Sequence, residues 1–179
     1  MKRFTFYLAV SILVLAVAAC SAPAAGEDSA TKVLLKTSMG DITIQLNDDM
    51  PITTGNFQKL VEQGFYNGVI FHRVIDGFMI QGGDPEGTGM GGPGYTIKDE
   101  FTDHNRNDRG TIAMANAGAN TGGSQFFINL VDNSFLDDKH PAFGKVIAGM
   151  DVVDAIGKVD KDANDRPLTD VKIIEATII

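Results

Sequence analysis

The sequence feature that most constrains the fold is the stretch from Phe71 to Asp84, which reads FHRVIDGFMIQGGD. Two apolar runs flank the pair Asp76-Gly77, a pattern typical of short antiparallel strands joined by a tight turn. Arg73 has no acidic residue in its register, and a buried arginine is almost never unpaired. We therefore predict that the Arg73 head group faces a groove or a partner elsewhere in the chain, and that this stretch forms a peptide-binding surface.

Short runs of the same kind recur along the rest of the chain. Asp41 to Leu46 alternates with its large apolar side chains on one face, which predicts a half-buried strand. An apolar stripe at helical spacing follows Pro51 and ends before Gly64, and a second helical stripe covers Gly149 to Gly157. About eight strands and two short helices predict a mainly β fold, a closed eight-stranded antiparallel barrel capped by two short α-helices.

The N-terminal residues have the pattern of an export signal. The basic pair Lys2-Arg3 precedes an apolar run that is too short for a confident membrane span. The junction Val17-Ala18-Ala19-Cys20 resembles the lipobox of bacterial lipoproteins, in which the cysteine is lipidated and becomes the new N-terminus. Cys20 is the only cysteine of the chain, so it has no partner for an intramolecular disulfide.

We accordingly predict a signal peptide over residues 1–19, a lipidated Cys20, a flexible tether over residues 20–31 and one globular domain with a sizeable core over residues 32–179. The alternative is an ordinary signal peptide, cut at Ala16-Val17-Ala18 or at Ala22-Pro23-Ala24. A lone thiol in an exported protein needs an explanation, and lipidation of Cys20 supplies one.

The net charge of −8 argues against a nucleic-acid partner and against electrostatic adhesion to anionic lipid. Membrane attachment would therefore come from acyl chains on Cys20, and stable anchoring needs more than one chain. In lipoprotein-sorting families an acidic residue after the cysteine tends to retain proteins at an inner membrane, whereas this chain has Ser21. We expect an exported cell-envelope lipoprotein, at the periplasmic face of the outer membrane where one exists.

Metal and hydrolase sites are not indicated. His72, His104 and His140 are far apart and lack the spacing of metal-binding motifs, and no serine lies in a nucleophile elbow. The glycines from Gly87 to Gly92 match a dinucleotide fingerprint only formally, because Pro93-Gly94 follows where a helix should open. We expect no metal and no cofactor, and a surface loop beside the groove.

Three segments identify a family. The sequences FHRVIDGFMIQGGD, MANAGANTGGSQFFI and FLDDKHPAFGKV, in this order, resemble the cyclophilin-type peptidyl-prolyl cis-trans isomerases over residues 32 to 179. The resemblance implies the same barrel fold and places the catalytic arginine on Arg73. It places the proline pocket on Phe78, Met79, Phe127, Leu136 and His140, and the residues that hold the substrate backbone on Gln81, Ala115, Asn116 and Gln125.

One departure from the family pattern concerns the rim of the pocket. Many members carry tryptophan where this chain has Phe135, and the chain contains no tryptophan. The resemblance therefore implies weakened cyclosporin binding and unimpaired catalysis, with Phe135 still at the substrate-binding rim.

The expected function is isomerisation of Xaa-Pro bonds in unfolded or exported polypeptides by a monomeric enzyme. The reaction needs no covalent step, because a charged donor at the proline nitrogen stabilises the twisted bond. The alternative is a membrane-tethered peptide-binding or chaperone module with incidental isomerase activity. A pure binder does not need Arg73, so the residues favour the enzyme.

Overall fold

The computed structural model describes Met1 and residues 30–179. The predicted signal peptide, Cys20 and nearly all of the predicted tether therefore lie outside the described residues. Within the described part of the chain, no helix combines the length and the apolar character needed to cross a bilayer.

In residues 30–179, eight strands and two helices follow the predicted order. The strands are β1 (Lys32–Thr37), β2 (Gly40–Leu46), β3 (Arg73–Ile75), β4 (Met79–Gly82), β5 (Thr111–Met114), β6 (Phe126–Asn129), β7 (Ala142–Ala148) and β8 (Ile173–Ile178). The helices are α1 (Pro51–Glu62) and α2 (Met150–Gly157), and a single 3-10 turn covers Ser134–Leu136. Gly77 has a φ of +68°, as a tight turn between β3 and β4 requires.

The strands form one antiparallel sheet in the order β3-β4-β6-β5-β7-β2-β1-β8. Its two edges are joined by the segments that lead into β3 and β8. The Phe71 N–H donates to the Val171 carbonyl at 2.9 Å, and the Ile173 N–H donates to the Val69 carbonyl at 2.8 Å. The sheet therefore curls round on itself, and the predicted mainly β, eight-stranded architecture with two helices is confirmed.

An apolar core fills the inside of the curled sheet because the strands alternate. Ile80, Phe126 and Ile128 are fully buried on the inner face. Phe126 packs edge-on against Phe57 of α1, with ring centroids 5.6 Å apart and planes at 89°. The next residue along β6, Phe127, belongs to a separate apolar cluster on the opposite face. This division leaves one face of the sheet free to build a site.

Candidate active site

A cavity of about 280 Å³ lies on the outer face of the sheet, across β3, β4 and β6. Nine of the residues predicted for catalysis or substrate binding line it: Arg73, Phe78, Met79, Gln81, Ala115, Asn116, Phe127, Leu136 and His140. Strand register brings several of them together. Arg73 pairs with Gln81, Gln81 with Phe127, and Phe127 with Ala113, which makes one row across four strands.

Arg73 is the positively charged group of this cavity. Its side chain is 46% exposed, and its Nε lies 4.0 Å from Oδ2 of Asp165, a residue of the loop between α2 and β8. At this distance and exposure the pair is a weak surface contact, and the guanidinium keeps donors for a ligand. The prediction that Arg73 faces a groove agrees with this position, while its acidic neighbour comes from a segment distant in sequence.

The apolar wall of the cavity is a cluster of its own. Met79, Phe127 and Leu136 are buried in this cluster, and Phe78 packs against it. Met79 is only 2% exposed, as a side chain in the wall of a pocket is expected to be. The neighbouring strands and the turn at residues 134–136 cover its side chain. The result is a small apolar pocket of the kind that holds a ring.

His140 closes the pocket beside Phe127. The two rings meet edge to face, with centroids 5.3 Å apart and planes at 80°. The Nδ1 of His140 lies 3.0 Å from the main-chain carbonyl of Met114. A carbonyl oxygen only accepts hydrogen bonds, so this nitrogen carries the proton and the ring orientation is fixed.

Gln81 and Gln125 form the polar side of the site. The Gln81 Nε2 donates to Oε1 of Gln125 at 2.9 Å. The Gln125 Nε2 donates in turn to the carbonyls of Gly89 and Gly91, at 3.0 and 2.9 Å. Gln125 lines a neighbouring cavity that shares Gln81 with the apolar pocket. It therefore connects the glycine-rich loop to Gln81.

The remaining predicted residues lie at the edge of the pocket. The Asn116 Nδ2 donates to the Lys139 carbonyl at 2.8 Å, so the main chain of Asn116 is left as the group that can pair with a substrate. Phe135 lies outside the cavity lining. Its side chain stacks on Phe78, with ring centroids 6.0 Å apart and planes at 19°, and it stays largely exposed. Phe135 is thus a rim residue.

The histidines do not converge on a metal site. His72 is buried, and burial, the largest effect, lowers the pKa of its imidazole. His104 is exposed, with Nε2 2.9 Å from Oδ2 of Asp49. Over Met1 and residues 30–179, no group of three histidine, cysteine or acidic side chains is arranged to hold a metal ion.

Asp84 holds the glycine-rich loop that follows β4. Its carboxylate is buried and accepts the backbone N–H groups of Glu86, Thr88 and Gly89 at 2.8, 2.9 and 2.6 Å. Gly91 approaches so closely that a Cβ there would lie 2.1 Å from Oδ1 of Asp84. The loop beside the groove is therefore shaped by one buried carboxylate.

We expect Asp84→Asn to lower the free energy of unfolding at pH 7 by about 2–4 kcal/mol, since it replaces a charged acceptor by an amide. Burial by itself raises the pKa of Asp84, but the backbone donors outweigh it, and the pKa lies below its ordinary value. The stability contributed by ionised Asp84 is therefore present above pH ~3.9 and is lost as the pH falls through the lower folded pKa.

Urea unfolding of both proteins between pH 7 and pH 2 measures this effect. The difference between the wild type and Asp84→Asn should shrink at the acidic end of the range. A difference that stays constant down to pH 2 would contradict the assignment to the ionised carboxylate.

Sequence reasoning missed two sets of residues that surround the site. Asp165 approaches Arg73 from a distant loop. Three buried asparagines, Asn107, Asn129 and Asn133, lie behind the pocket. Their only signal in the sequence is the presence of polar residues within or beside apolar strands, and that signal does not say which partners they meet.

Comparison with known proteins agrees with the geometry. Residues 32–178 match the family described as "Cyclophilin type peptidyl-prolyl cis-trans isomerase/CLD". Peptidyl-prolyl cis-trans isomerase-like 1 of Aspergillus oryzae is 46% identical over 84% of this chain and 96% of its own length. The human protein of the same name is 48% identical over 80% of this chain and 90% of its own length.

A longer relative and a solved structure are also similar. Peptidyl-prolyl cis-trans isomerase CYP71 of Arabidopsis thaliana is 50% identical over 82% of this chain, which spans only 24% of that relative's length. The crystal structure of a Cryptosporidium parvum cyclophilin-type isomerase superposes with a TM-score of 0.81 at 35% identity, covering 84% of this chain and 98% of that one. The fold, the family match and these relatives show that the chain belongs to the cyclophilin-type peptidyl-prolyl cis-trans isomerases.

Proposed function

We propose that the outer-face cavity binds the proline ring of unfolded or exported polypeptides, and that Arg73 is the catalytic residue. The observation that carries this assignment is the row Arg73, Gln81 and Phe127, which sets a charged donor, an amide and an apolar wall side by side. A Cryptosporidium parvum relative was crystallised in the presence of the dipeptide Ala-Pro, which supports a proline-containing ligand.

The chemistry follows from the electronic structure of the peptide bond. Amide resonance gives rotation a barrier of about 18–20 kcal/mol, so an Xaa-Pro bond isomerises in tens to hundreds of seconds unaided. When the bond is twisted, conjugation is lost and the proline nitrogen regains a lone pair. The Arg73 guanidinium donates to that lone pair only in the transition state, and a partly desolvated groove strengthens this bond.

The other residues hold the peptide on the two sides of the rotating bond. Phe127, Leu136 and Met79 enclose the ring, and the main chain of Asn116 pairs with the peptide backbone. Gln81 is oriented towards the cavity by its bond to Gln125. These contacts hold the peptide on one side of the Xaa-Pro bond while the other side rotates, which lowers the entropic cost of reaching the twisted geometry.

The test is an isomerisation assay on a short peptide containing Ala-Pro. The protein should accelerate the cis-to-trans relaxation, and added Ala-Pro dipeptide should inhibit it competitively. A relaxation rate equal to the uncatalysed rate in the presence of folded protein would overturn the proposal. In that event the alternative of a peptide-binding or chaperone module would stand.

We further propose that the chain is exported and anchored to the cell envelope through Cys20. The support is the sequence of residues 1–20, with its basic pair, apolar run and small residues before the cysteine. Two acyl chains on Cys20 would give stable attachment, and the acidic domain would stay clear of the anionic membrane surface. Proline-containing segments of exported proteins would then be the natural substrates.

Expression of the full chain and of Cys20→Ala in a bacterium fed with labelled palmitate tests the anchor. We expect label and membrane fractionation for the wild type, and neither for Cys20→Ala. Equal distribution of the two proteins between membrane and soluble fractions would contradict lipidation.

We also propose that cyclosporin binds this protein weakly. The support is Phe135 at the rim of the pocket, where many family members carry tryptophan. Phenylalanine offers a smaller apolar face and has no indole N–H to donate, so a large rim-spanning ligand loses contact there.

A further inference from the structure

Three buried asparagines form a chain behind the proline pocket. Asn107 and Asn129 are 0% exposed, and Asn133 is 3% exposed. The Asn133 Nδ2 donates to Oδ1 of Asn129 at 2.8 Å, and the Asn129 Nδ2 donates to Oδ1 of Asn107 at 3.2 Å. Buried amides cost free energy unless they are paired, and paired amides favour one arrangement. The three side chains therefore act as one continuous link, called here the asparagine chain.

The two ends of the asparagine chain reach two different walls of the pocket. At one end, the Asn133 Nδ2 also donates to the main-chain carbonyl of Phe78 at 3.0 Å. At the other end, the Asn107 Nδ2 donates to the main-chain carbonyl of His140 at 3.1 Å. Phe78 and His140 both line the cavity. Asn133 begins the wall formed by residues 133–140 and bonds it to the wall before β4, and Asn107 bonds the other end of the same wall at His140.

The wall at residues 133–140 is held at several further points. The Asn107 N–H donates to Oδ1 of Asp137 at 2.6 Å. The Asn105 Nδ2 donates to the carbonyls of Asp137 and His140. This segment carries Leu136, which encloses the proline ring in the proposed function, and His140, which lines the same cavity. Its position is therefore set by directional hydrogen bonds, in addition to apolar contacts that have no preferred direction.

We propose that the asparagine chain fixes the separation of the two pocket walls, and thereby makes the pocket selective for the five-membered ring of proline. The inference rests on the proposed function of the pocket. A pipecolyl residue carries a six-membered ring with one extra methylene. One methylene in an apolar pocket changes kcat/KM by about 10–200-fold, provided that the walls do not move apart. The asparagine chain prevents that movement.

Two variants release the walls from opposite ends. Asn133→Ala removes the bonds to Phe78 and Asn129, and its φ of −115° accommodates alanine. The Phe78 carbonyl keeps the Leu130 N–H at 2.9 Å, so the strand pairing is retained. Asn107→Ala removes the bond to His140 at the other end. Both act on the spacing of the walls and leave every residue that lines the cavity in place.

A matched control removes buried hydrogen bonds elsewhere. Thr37 is 6% exposed, and its hydroxyl donates to the Gly40 carbonyl at 2.6 Å and accepts the Met39 N–H at 3.1 Å. Thr37 is the last residue of β1, next to the turn that leads into β2, and lies outside the lining of the pocket. Thr37→Ala therefore reports the effect of lost stability alone.

The experiment uses the full chain and measures kcat/KM for two peptides that differ only in Ala-Pro or Ala-pipecolyl. The selectivity ratio is kcat/KM for the proline peptide divided by kcat/KM for the pipecolyl peptide. We expect this ratio to fall by about tenfold in Asn133→Ala and in Asn107→Ala, mainly because KM for the proline peptide rises. Because both substitutions break the same asparagine chain, the ratio in the double variant should be little lower than in either single variant. Thr37→Ala should keep the wild-type ratio.

Circular dichroism and thermal unfolding identify the folded variants, and Asn133→Ala alone suffices if Asn107→Ala does not fold. An unchanged ratio in folded Asn133→Ala, or an equal fall in Thr37→Ala, would overturn the role of the asparagine chain while isomerase activity stands. A wild-type protein that fails to accelerate the proline peptide would instead overturn the proposed function itself.

Discussion

Arg73→Ala is expected to lower kcat/KM for an Ala-Pro peptide by about 10²–10³-fold, the loss typical of removing one donor to charge that develops in a transition state. The effect should fall on kcat, because the lone pair of the proline nitrogen is available only when the peptide bond is twisted. Affinity for the peptide should change little, since the apolar pocket of Phe127 and Leu136 remains. Coupled isomerisation assays and a binding titration measure the two quantities separately.

Two further variants sharpen this prediction. Arg73→Lys keeps a positive charge but loses the planar fork of donors, so we expect intermediate activity. Arg106→Ala is the matched control, because Arg106 is an exposed arginine paired with Asp108 and lies outside the pocket lining. It should retain wild-type kcat/KM. Equal activity of Arg73→Ala and wild type would exclude Arg73 as the catalytic residue.

Phe126→Ala should lower the free energy of unfolding by about 3–5 kcal/mol, since it leaves a large cavity in the core. Phe126 is fully buried and contacts the rings of Phe57, Tyr66 and Phe71 edge-on. The variant removes one ring from this aromatic cluster, which joins β6 to α1 and to the segment before β3. Chemical denaturation at pH 7 measures the loss, with the m-value as a check on two-state behaviour.

Phe135→Ala is the control for this large effect. Phe135 is 62% exposed and packs on one face against Phe78. Phe135→Ala should therefore lower the free energy of unfolding by less than about 1 kcal/mol. A loss of stability in Phe135→Ala as large as that in Phe126→Ala would contradict the assignment of the core to the inner face of the sheet.

Much of the fold could be predicted because its signals are local. The alternation of apolar residues in β2 and the turn at Asp76-Gly77 depend on neighbours within a few positions. Phe126 and Phe127 show how far this reasoning extends. Alternation alone predicts that adjacent residues lie on opposite faces of β6. In the structure, Phe126 lies in the core and Phe127 lies in the pocket.

The family motifs also predicted that residues on adjacent strands would lie together in one site. Nine of the predicted residues line one cavity. Phe135 lies on the rim, as the motifs implied, and Gln125 lines a neighbouring cavity. The position of Gln125 is not visible in a pattern of residue types, because it depends on how the glycine-rich loop packs.

The sequence by itself determined the eight strands, the two helices and the family, since each rests on local periodicity or on contiguous motifs. Only the tertiary structure decided which distant groups meet. Asp165 approaches Arg73, and the asparagine chain joins Phe78 to His140, through loops that are separated along the chain. These contacts depend on sheet register and on loop closure, and a buried polar residue in a sequence does not name its partner.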